Sequence, residues 1–380
     1  MTWDRLTISS DSHILEVPEI FDGLAKRFGD EAPGIVHDPA RGDVLRLGKT
    51  STRSVVVGRF GIAGHYVNDP ETQEMMRQGY PAMRPGALDP IERIKDQEID
   101  GVDAEVLLPS VLLALNTMKD GEIIAATYKN YNDWVRNYAD QAPMRLFPTA
   151  CLPMHDIDLA IEELQRTAAA GHVAANIPCV APTDRLYSDP WYDRFWAMAQ
   201  EMGTPLIMHT ITSTQPNHGM PDMGPVMNYA FIAYAIQRTI GDLICSGVCA
   251  RYPKLQFVPT EWETGWVPYF LERMDWSVIR AGMASMPSEF TETFSYYFHQ
   301  NFHVTFEDDQ IGLQMRDRIG VENLMWGSDF PHHDSTFPRS RAVLDEIFDE
   351  IFEDVPDEER FMITAGNCRD LYHLPFEDQF

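Results

Sequence analysis

The chain has 380 residues, of which 44% are apolar, so it is long enough to bury a large core. Thirty basic side chains against fifty-eight acidic ones give a formal charge of −28, which excludes binding to nucleic acid phosphates or anionic membranes as a main activity. Five scattered cysteines, an odd number, argue against a disulfide framework. The sequence has no basic and apolar leader and no apolar run near the roughly 18 residues of a membrane span, so we expect a cytoplasmic protein.

Short β-rich runs alternate with amphipathic helical stretches along the chain. The predicted strands are Leu6–His13, Ala104–Ser110, Leu146–Pro153, Val173–Pro178, Pro205–Thr210, Leu255–Glu261, Phe302–Glu307 and Asn323–Pro331. Each is followed by a loop and most then by a helix. This rhythm predicts a (β/α)8 TIM barrel of the α/β class.

Capping residues mark several helices between these strands. The predicted helices are Ile91–Gln97 after Asp89-Pro90, Leu159–Ala170 after Asp156 or Asp158, and Trp191–Met202 after Asp189-Pro190. An aspartate before the first turn accepts hydrogen bonds from free backbone N–H groups, and Gly171 and Gly203 supply C-terminal stops. The repeated order of strand, loop, capped helix and terminal glycine is typical of the crossover connections between parallel strands.

One stretch, 30–88, is much longer than a barrel connection requires. It is rich in Gly, Pro, Arg and Asp and has no long periodic run. Loops of this length inside a compact domain usually carry function or cover a site. A small separate domain is the alternative, but weak apolar periodicity argues against an independent core. We therefore predict a single domain over 1–380, with the insertion as a cap over the site.

Metal-binding residue types stand at the ends of four predicted strands. Asp11 and His13 end the first strand, where residues i and i+2 face the same side. His209 ends the fifth strand, Glu261 the sixth and Asp329 the eighth. Because the carboxyl ends of barrel strands meet on one rim, we predict that these residues form a metal site.

Two further residues extend the predicted ligand set to seven. Glu16 lies three residues beyond His13, and His332 follows Asp329 closely. Seven ligands, four of them carboxylates, are too many for one ion that keeps an open position, so we predict two ions bridged by carboxylates. The carboxylate-rich set favours iron or manganese, with zinc as the alternative. The remaining histidines considered for this rim are His299, His303 and His333, for which packing is the simpler interpretation.

These motifs resemble those of the amidohydrolase superfamily, and the resemblance covers nearly the whole chain. The matching segments are Asp11-x-His13, Pro205-Leu-Ile-Met-His209 and Trp326-Gly-Ser-Asp329-Phe-Pro, which resemble its motifs on strands one, five and eight. The closing Gly366-Asn367-Cys-Arg-Asp-Leu-Tyr372 is similar to the branch that contains 2-amino-3-carboxymuconate semialdehyde decarboxylase and resorcylate decarboxylases. This resemblance implies a metal-dependent barrel enzyme.

The chain departs from that branch in two places. The end of strand six carries Glu261, where the branch generally has a histidine. The fourth strand, Ala174-Ala175-Asn176-Ile177, lacks the lysine that many dinuclear hydrolases of the superfamily use. The Asp-x-His-x-x-Glu run and the strand-six glutamate instead resemble an oxygenase offshoot, of which 2-aminoisobutyrate hydroxylase is an example.

Two functional hypotheses follow. The first, favoured by the extra carboxylates, is an O2-dependent hydroxylase (monooxygenase) of a small amino or carboxylic acid, with a dinuclear Fe/Mn centre and an external electron donor. The alternative is a metal-dependent decarboxylase or hydrolase with one zinc or manganese ion, in which Glu261 or His332 moves protons. In both we expect a small-molecule substrate and a homo-oligomer, or a hetero-oligomer with a paralogous subunit.

Overall fold

Parallel strands carry the predicted ligands at one end of the molecule. The computed structural model describes residues 5–51, 53–182, 185–213, 219, 221–280, 290–351 and 355–378. The strands are β1 (Ile8–Ile14), β2 (Gly34–Asp38), β3 (Gly42–Arg46), β4 (Ser54–Val56), β5 (Ala104–Pro109), β6 (Leu146–Cys151), β7 (Ala174–Asn176), β8 (Leu206–His209), β9 (Phe257–Thr260), β10 (Val304–Phe306) and β11 (Leu324–Trp326).

Eight of these strands form the predicted barrel. Strands β1, β5, β6, β7, β8 and β9 pair in parallel in that order, and β10 pairs in parallel with β11. The backbone N–H of His303 donates to the carbonyl of Phe257 at 2.9 Å, which joins β9 to the segment before β10. The N–H of Asp329 donates to the carbonyl of Asp11 at 2.9 Å, which joins the end of β11 to β1. The (β/α)8 prediction is confirmed.

Helices cover the outside of the barrel. They are α1 (Leu24–Phe28), α2 (Pro70–Gln78), α3 (Pro90–Asp100), α4 (Gly121–Ala139), α5 (Ile157–Ala169), α6 (Asp193–Met202), α7 (Pro225–Ala230), α8 (Ala233–Cys245), α9 (Val248–Arg251), α10 (Val267–Ile279), α11 (Phe294–Asn301), α12 (Gln310–Gln314), α13 (Arg316–Ile319), α14 (Ser340–Asp345), α15 (Asp357–Phe361) and α16 (Asn367–Leu371). The predicted caps form, since the side chains of Asp89 and Asp156 accept N–H groups of α3 and α5. Within the described ranges, no helix has both the length and the apolar character that a bilayer crossing requires.

The insertion 30–88 contains more regular structure than its composition indicates. Strands β2, β3 and β4 form an antiparallel sheet, and α2 follows them. Strands of three to five residues are too short to produce a periodic signal in the sequence. The N–H of Ala63 donates to the carbonyl of Pro331 at 3.0 Å, so the insertion contacts the segment that follows β11.

A buried ion pair holds the first strand and the last loop together from below the rim. Arg93 of α3 is fully buried, and its Nε donates to Glu105 of β5 at 2.6 Å. Its Nη1 donates to the carbonyl of His13 at 2.6 Å, and its guanidinium lies 4.8 Å from the ring centroid of Phe330. Arg93 therefore links the backbone on both sides of the predicted site.

We predict that Glu105→Gln lowers the free energy of unfolding by about 3–5 kcal/mol, because it leaves the buried Arg93 cation without its counter-charge. Urea unfolding followed by circular dichroism measures the change. The matched control is Glu92→Gln, which breaks the exposed pair between Glu92 and Lys95 on the same helix and should leave the midpoint unchanged. Equal midpoints for wild type and Glu105→Gln would contradict the prediction.

Candidate metal centre

Donor atoms from four separate parts of the chain meet at the carboxyl end of the barrel. Asp11 and His13 lie in β1, His209 ends β8, and Glu261 and Asp329 follow β9 and β11. Two groups with ligand atoms within 4.8 Å of one another share His13, namely Asp11, His13 and His209, and His13, Glu261, Asp329 and His332. The structure therefore brings together six of the seven predicted ligands.

Two imidazoles face each other through their Nε2 atoms. The Nδ1 of His13 lies 2.8 Å from the carbonyl oxygen of Pro109, and the Nδ1 of His209 lies 3.0 Å from that of Thr210. A carbonyl oxygen can only accept, so each neutral ring carries its proton on Nδ1. The two Nε2 atoms lie 3.0 Å apart, and each offers a lone pair when its ring is neutral. In the metal-free protein Glu261 and Asp11 raise the pKa of His209 and favour a proton on its Nε2, and a metal ion would take the place of that proton.

The neighbouring carboxylates also lack partners. Asp11 and Asp329 are each 1% exposed, and no described residue donates a hydrogen bond to any of their four carboxylate oxygens. One oxygen of each lies 3.3 Å from the Nε2 of His13. Because a buried carboxylate without a partner is costly, this set of nitrogen and oxygen donors fits a bound divalent metal ion.

The buried acidic groups of the cluster favour an added positive charge. Burial raises the pKa of Asp11 to about 6, although His209 opposes the shift. Burial disfavours protonation of His209, but Glu261, 2.9 Å away, and Asp11 outweigh it and raise the pKa of His209 to about 9. Burial and the charges of Glu307 and Glu261 raise the pKa of Asp329 well above its usual range. A divalent cation would offset the cost of the two buried carboxylates and take the place of the proton on His209.

Two of the donors stand on strained backbone. Glu261 has a φ of 62° and Asp329 a φ of 56°, in the left-handed region that residues other than glycine seldom adopt. Such conformations cost about 1–3 kcal/mol each and persist where the surroundings hold them. The N–H of Glu261 donates to the hydroxyl of Thr305 at 3.1 Å, and the N–H of Asp329 is held by β1. Strand closure therefore fixes both side chains at the rim.

His332 lies in the cluster, as predicted. Its ring stacks on His13 with centroids 3.9 Å apart, and its Nδ1 lies 2.8 Å from Asp329 Oδ1. Its Nε2 lies 3.0 Å from the hydroxyl oxygen of Ser110. The adjacent His333 instead places its Nδ1 2.8 Å from Asp334 and is in neither group of potential ligands formed by the described residues.

The prediction that Glu16 binds metal requires correction. Its carboxylate is fully buried, and both oxygens accept backbone N–H groups, those of Ser110 and Leu112 on Oε1 and that of Val111 on Oε2. Burial raises its pKa to about 7, although these hydrogen bonds oppose the shift. Glu16 follows β1 in a loop, where the two-residue alternation of a strand no longer sets the direction of a side chain.

The remaining rim residues are two histidines interpreted as packing and one carboxylate that the sequence analysis left out. His299 and His303 are in neither ligand group of the described chain, and burial lowers the pKa of His303 to about 4. Glu307 was missed. It follows β10, and burial together with Glu261 and other nearby carboxylates raises its pKa well above the usual range. The strand-end rule that identified Glu261 would have identified it.

Comparison with known proteins decides the family. Residues 64–374 match the Amidohydrolase family over most of the chain. The chain belongs to this family. The superfamily resemblance of the motifs is thereby confirmed, together with the inference of a metal-dependent enzyme.

Named relatives share the barrel at low sequence identity. Gamma-resorcylate decarboxylase from Rhizobium sp. (strain MTP-10005) is 25% identical over 255 residues, which are 63% of this chain and 76% of that protein. The structure of an amidohydrolase from Mycobacterium avium subsp. paratuberculosis K-10 superposes with a TM-score of 0.75 at 20% identity, covering 97% of this chain and 100% of the other. Dihydroxybenzoic acid decarboxylase from Polaromonas sp. JS666, solved with manganese and 2-nitroresorcinol, gives 0.67 at 17% identity and covers 98% of each chain.

The hypothesis of an O2-dependent hydroxylase is wrong. The curated relatives, at 23–25% identity, are gamma-resorcylate decarboxylases, and structural relatives include 2,6-dihydroxybenzoate and 5-carboxyvanillate decarboxylases. That hypothesis depended on surplus carboxylates in the site. Glu16 was one of them, and its oxygens are occupied by backbone N–H groups. Iron and a second ion are likewise not confirmed.

We predict that the apparent affinity for Mn2+ rises about tenfold per pH unit from pH 7 to pH 9, because an ion must displace the proton of His209. The rise should level off above the pKa of about 9. Below about pH 6, where Asp11 also takes up a proton, the dependence should steepen. Calorimetric titration in buffers of different ionisation enthalpy measures both affinity and proton release. An affinity that is constant from pH 7 to pH 9 would contradict this account.

Proposed function

We propose that this protein is a decarboxylase of small hydroxylated aromatic carboxylates that depends on one Mn2+ ion. The observation that carries the proposal is the pair of Nε2 atoms of His13 and His209, 3.0 Å apart beside two buried carboxylates that accept no hydrogen bond from the described residues. The relatives named for resorcylate, dihydroxybenzoate and carboxyvanillate decarboxylation support the reaction class. The manganese of the Polaromonas enzyme supports the choice of ion.

The donor arrangement favours one ion. His13 belongs to both ligand groups, and only its Nε2 is free because its Nδ1 contacts the carbonyl of Pro109; one imidazole nitrogen binds one metal ion at a time. His13, His209, Asp11 and Asp329 would hold the ion, with Nδ1 of His332 beside them. When bound, the divalent cation supplies positive charge that orients the carboxylate or hydroxyl oxygens of a substrate and stabilises negative charge on them.

Decarboxylation also requires a proton. Loss of CO2 breaks a carbon–carbon bond and leaves the electron pair on the substrate carbon, which must take up one proton. Glu261 is placed to deliver it, because 25% of its side chain is exposed whereas that of its neighbour His209 is 1% exposed. His332 is less suited, since it is buried and contacts Asp329 and Ser110 through its two ring nitrogens. We assign proton transfer to Glu261, whose partly exposed carboxylate takes a proton from water and passes it, as the carboxylic acid, to the substrate carbon.

The insertion 30–88 is proposed to exclude water on the His332 side. Phe60 meets the His332 ring edge-on with centroids 4.9 Å apart. Ala63 packs in a small apolar cluster with Phe330 and Phe337. These contacts cover the segment after β11 with apolar groups, and a dry site strengthens the interactions between the metal, its ligands and the substrate.

The reaction class is tested with purified protein loaded with Mn2+ and a panel of carboxylates that includes 2,6-dihydroxybenzoate and 5-carboxyvanillate. We expect CO2 release in step with the carboxyl-free product, at equal rates in air and under argon. In D2O the product should carry one deuterium at the carbon that lost CO2. Hydrolysis of amides or lactones, with no CO2 released from any carboxylate, would overturn the proposal.

We predict that Glu261→Gln lowers kcat about 10²–10⁴-fold, the usual contribution of a positioned acid or base. Metal content should fall less than in Asp11→Asn, because Asp11 is buried among the donors whereas Glu261 is partly exposed. The control is Glu272→Gln on the exposed face of α10, which should retain wild-type kcat. Steady-state kinetics and elemental analysis provide the two readouts, and full activity of Glu261→Gln would remove Glu261 from proton transfer.

A further inference from the structure

Ser110 occupies a position where its hydroxyl would ordinarily cap a helix. It directly follows β5 and precedes the 3-10 helix Val111–Thr117. A serine there commonly accepts a hydrogen bond from a backbone N–H of the first turn. The side chain of Ser110 makes no such bond, and its buried hydroxyl oxygen lies 3.0 Å from the Nε2 of His332.

Glu16 takes over the capping of this turn. Its Oε1 accepts the N–H groups of Ser110 at 2.8 Å and Leu112 at 3.1 Å, and its Oε2 accepts that of Val111 at 3.0 Å. The N–H groups that the hydroxyl of Ser110 would otherwise serve are therefore already satisfied. Glu16 thereby leaves this hydroxyl available to His332.

His332 is held by contacts on its face, its edge and both nitrogens. His13 stacks on its face, Phe60 meets its ring edge-on, and Ser110 contacts Nε2. Its Nδ1 lies 2.8 Å from Asp329 Oδ1, yet no described residue donates an aligned hydrogen bond to either oxygen of Asp329. The nitrogen and the oxygen thus lie side by side, as two donors to a common cation do, rather than with an N–H directed at the carboxylate.

We propose that Ser110, released by Glu16, is a positioning residue of the metal centre. When the Nδ1 lone pair of His332 faces the cation beside Asp329, the proton of the ring is on Nε2, and the hydroxyl oxygen of Ser110 accepts it and holds the ring in that orientation. Outer hydrogen-bond partners of metal-binding histidines typically contribute 10–100-fold to metal affinity. The inference rests on the metal site of the proposed function and is independent of the reaction catalysed there.

The test compares Mn2+ dissociation constants of the full chain by chelator competition. Ser110→Ala should weaken binding roughly 10–100-fold, whereas Ser110→Thr, which keeps the hydroxyl, should bind close to wild type. The matched control is Thr127→Val, which removes a buried hydroxyl that binds only the carbonyl of Ile123 within α4. The electron paramagnetic resonance spectrum of bound Mn2+ should change in Ser110→Ala and not in the control. Wild-type affinity in Ser110→Ala overturns the inference.

Glu16→Gln tests the other half of the arrangement. Its amide nitrogen cannot accept an N–H group, so the hydroxyl of Ser110 should be drawn back to the turn and Mn2+ affinity should fall as in Ser110→Ala. Circular dichroism of the metal-free proteins verifies folding, and Ser110→Thr keeps the inference testable if Glu16→Gln does not fold. Weakened binding without CO2 release from any carboxylate supports the role of Ser110 and rejects the decarboxylase proposal. A wild-type protein that binds no Mn2+ rejects both.

Discussion

The close approach of two imidazole nitrogens, which must have a proton or a metal ion beside them, is the constraint on which the site depends. Backbone carbonyls of Pro109 and Thr210 fix the Nδ1 protons of His13 and His209, and the opposite nitrogens are left 3.0 Å apart. Neither ring can rotate away without breaking a hydrogen bond to the strand ends. The barrel backbone therefore orients both rings so that a positive charge between them is favourable. The carboxylates beside the rings favour the same positive charge.

A buried ion pair stabilises the same backbone beneath the rim. Arg93 binds the carbonyl of His13 and pairs with Glu105, so the residue that bears the central ligand is held by a buried cation. Charge alternates through the layers, from Glu105 to Arg93 and then to the ligand rim, where Asp11 and Asp329 meet. A buried charge is stable only beside a charge of the opposite sign. Removing the charge in one layer therefore destabilises the charge in the neighbouring layer.

The fold and most of the site could be predicted from the sequence because both follow local rules. Asp89 and Asp156 cap helices as their positions indicate, and His209 and Glu261 stand where buried strands end. The rule failed for Glu16, because its direction depends on a turn about ninety-five residues later, formed by Ser110 to Leu112. The spacing of residues around Glu16 cannot indicate that this distant turn is its hydrogen-bond partner.

The choice of reaction could not be predicted for a related reason. The oxygenase hypothesis counted carboxylates, and a count does not show which oxygens already accept hydrogen bonds. Glu16 was counted although its oxygens accept backbone N–H groups, and Glu307 was not counted although it directly follows a barrel strand. Relatives supplied the information on chemistry that residue types alone lack.

The closing contact between Asp329 and Asp11 sets an order of events during synthesis of the chain. These two residues lie near opposite ends of the sequence and meet only when the last strand joins the first. Contacts of such wide separation form late, since they require the loop between them to be closed. A ribosome-bound chain that has not yet released its final strand cannot assemble the ligand set. The ligand group that contains Asp329 and His332 can therefore form only in a finished barrel, and a C-terminally truncated product would leave His13 without its last acidic partner.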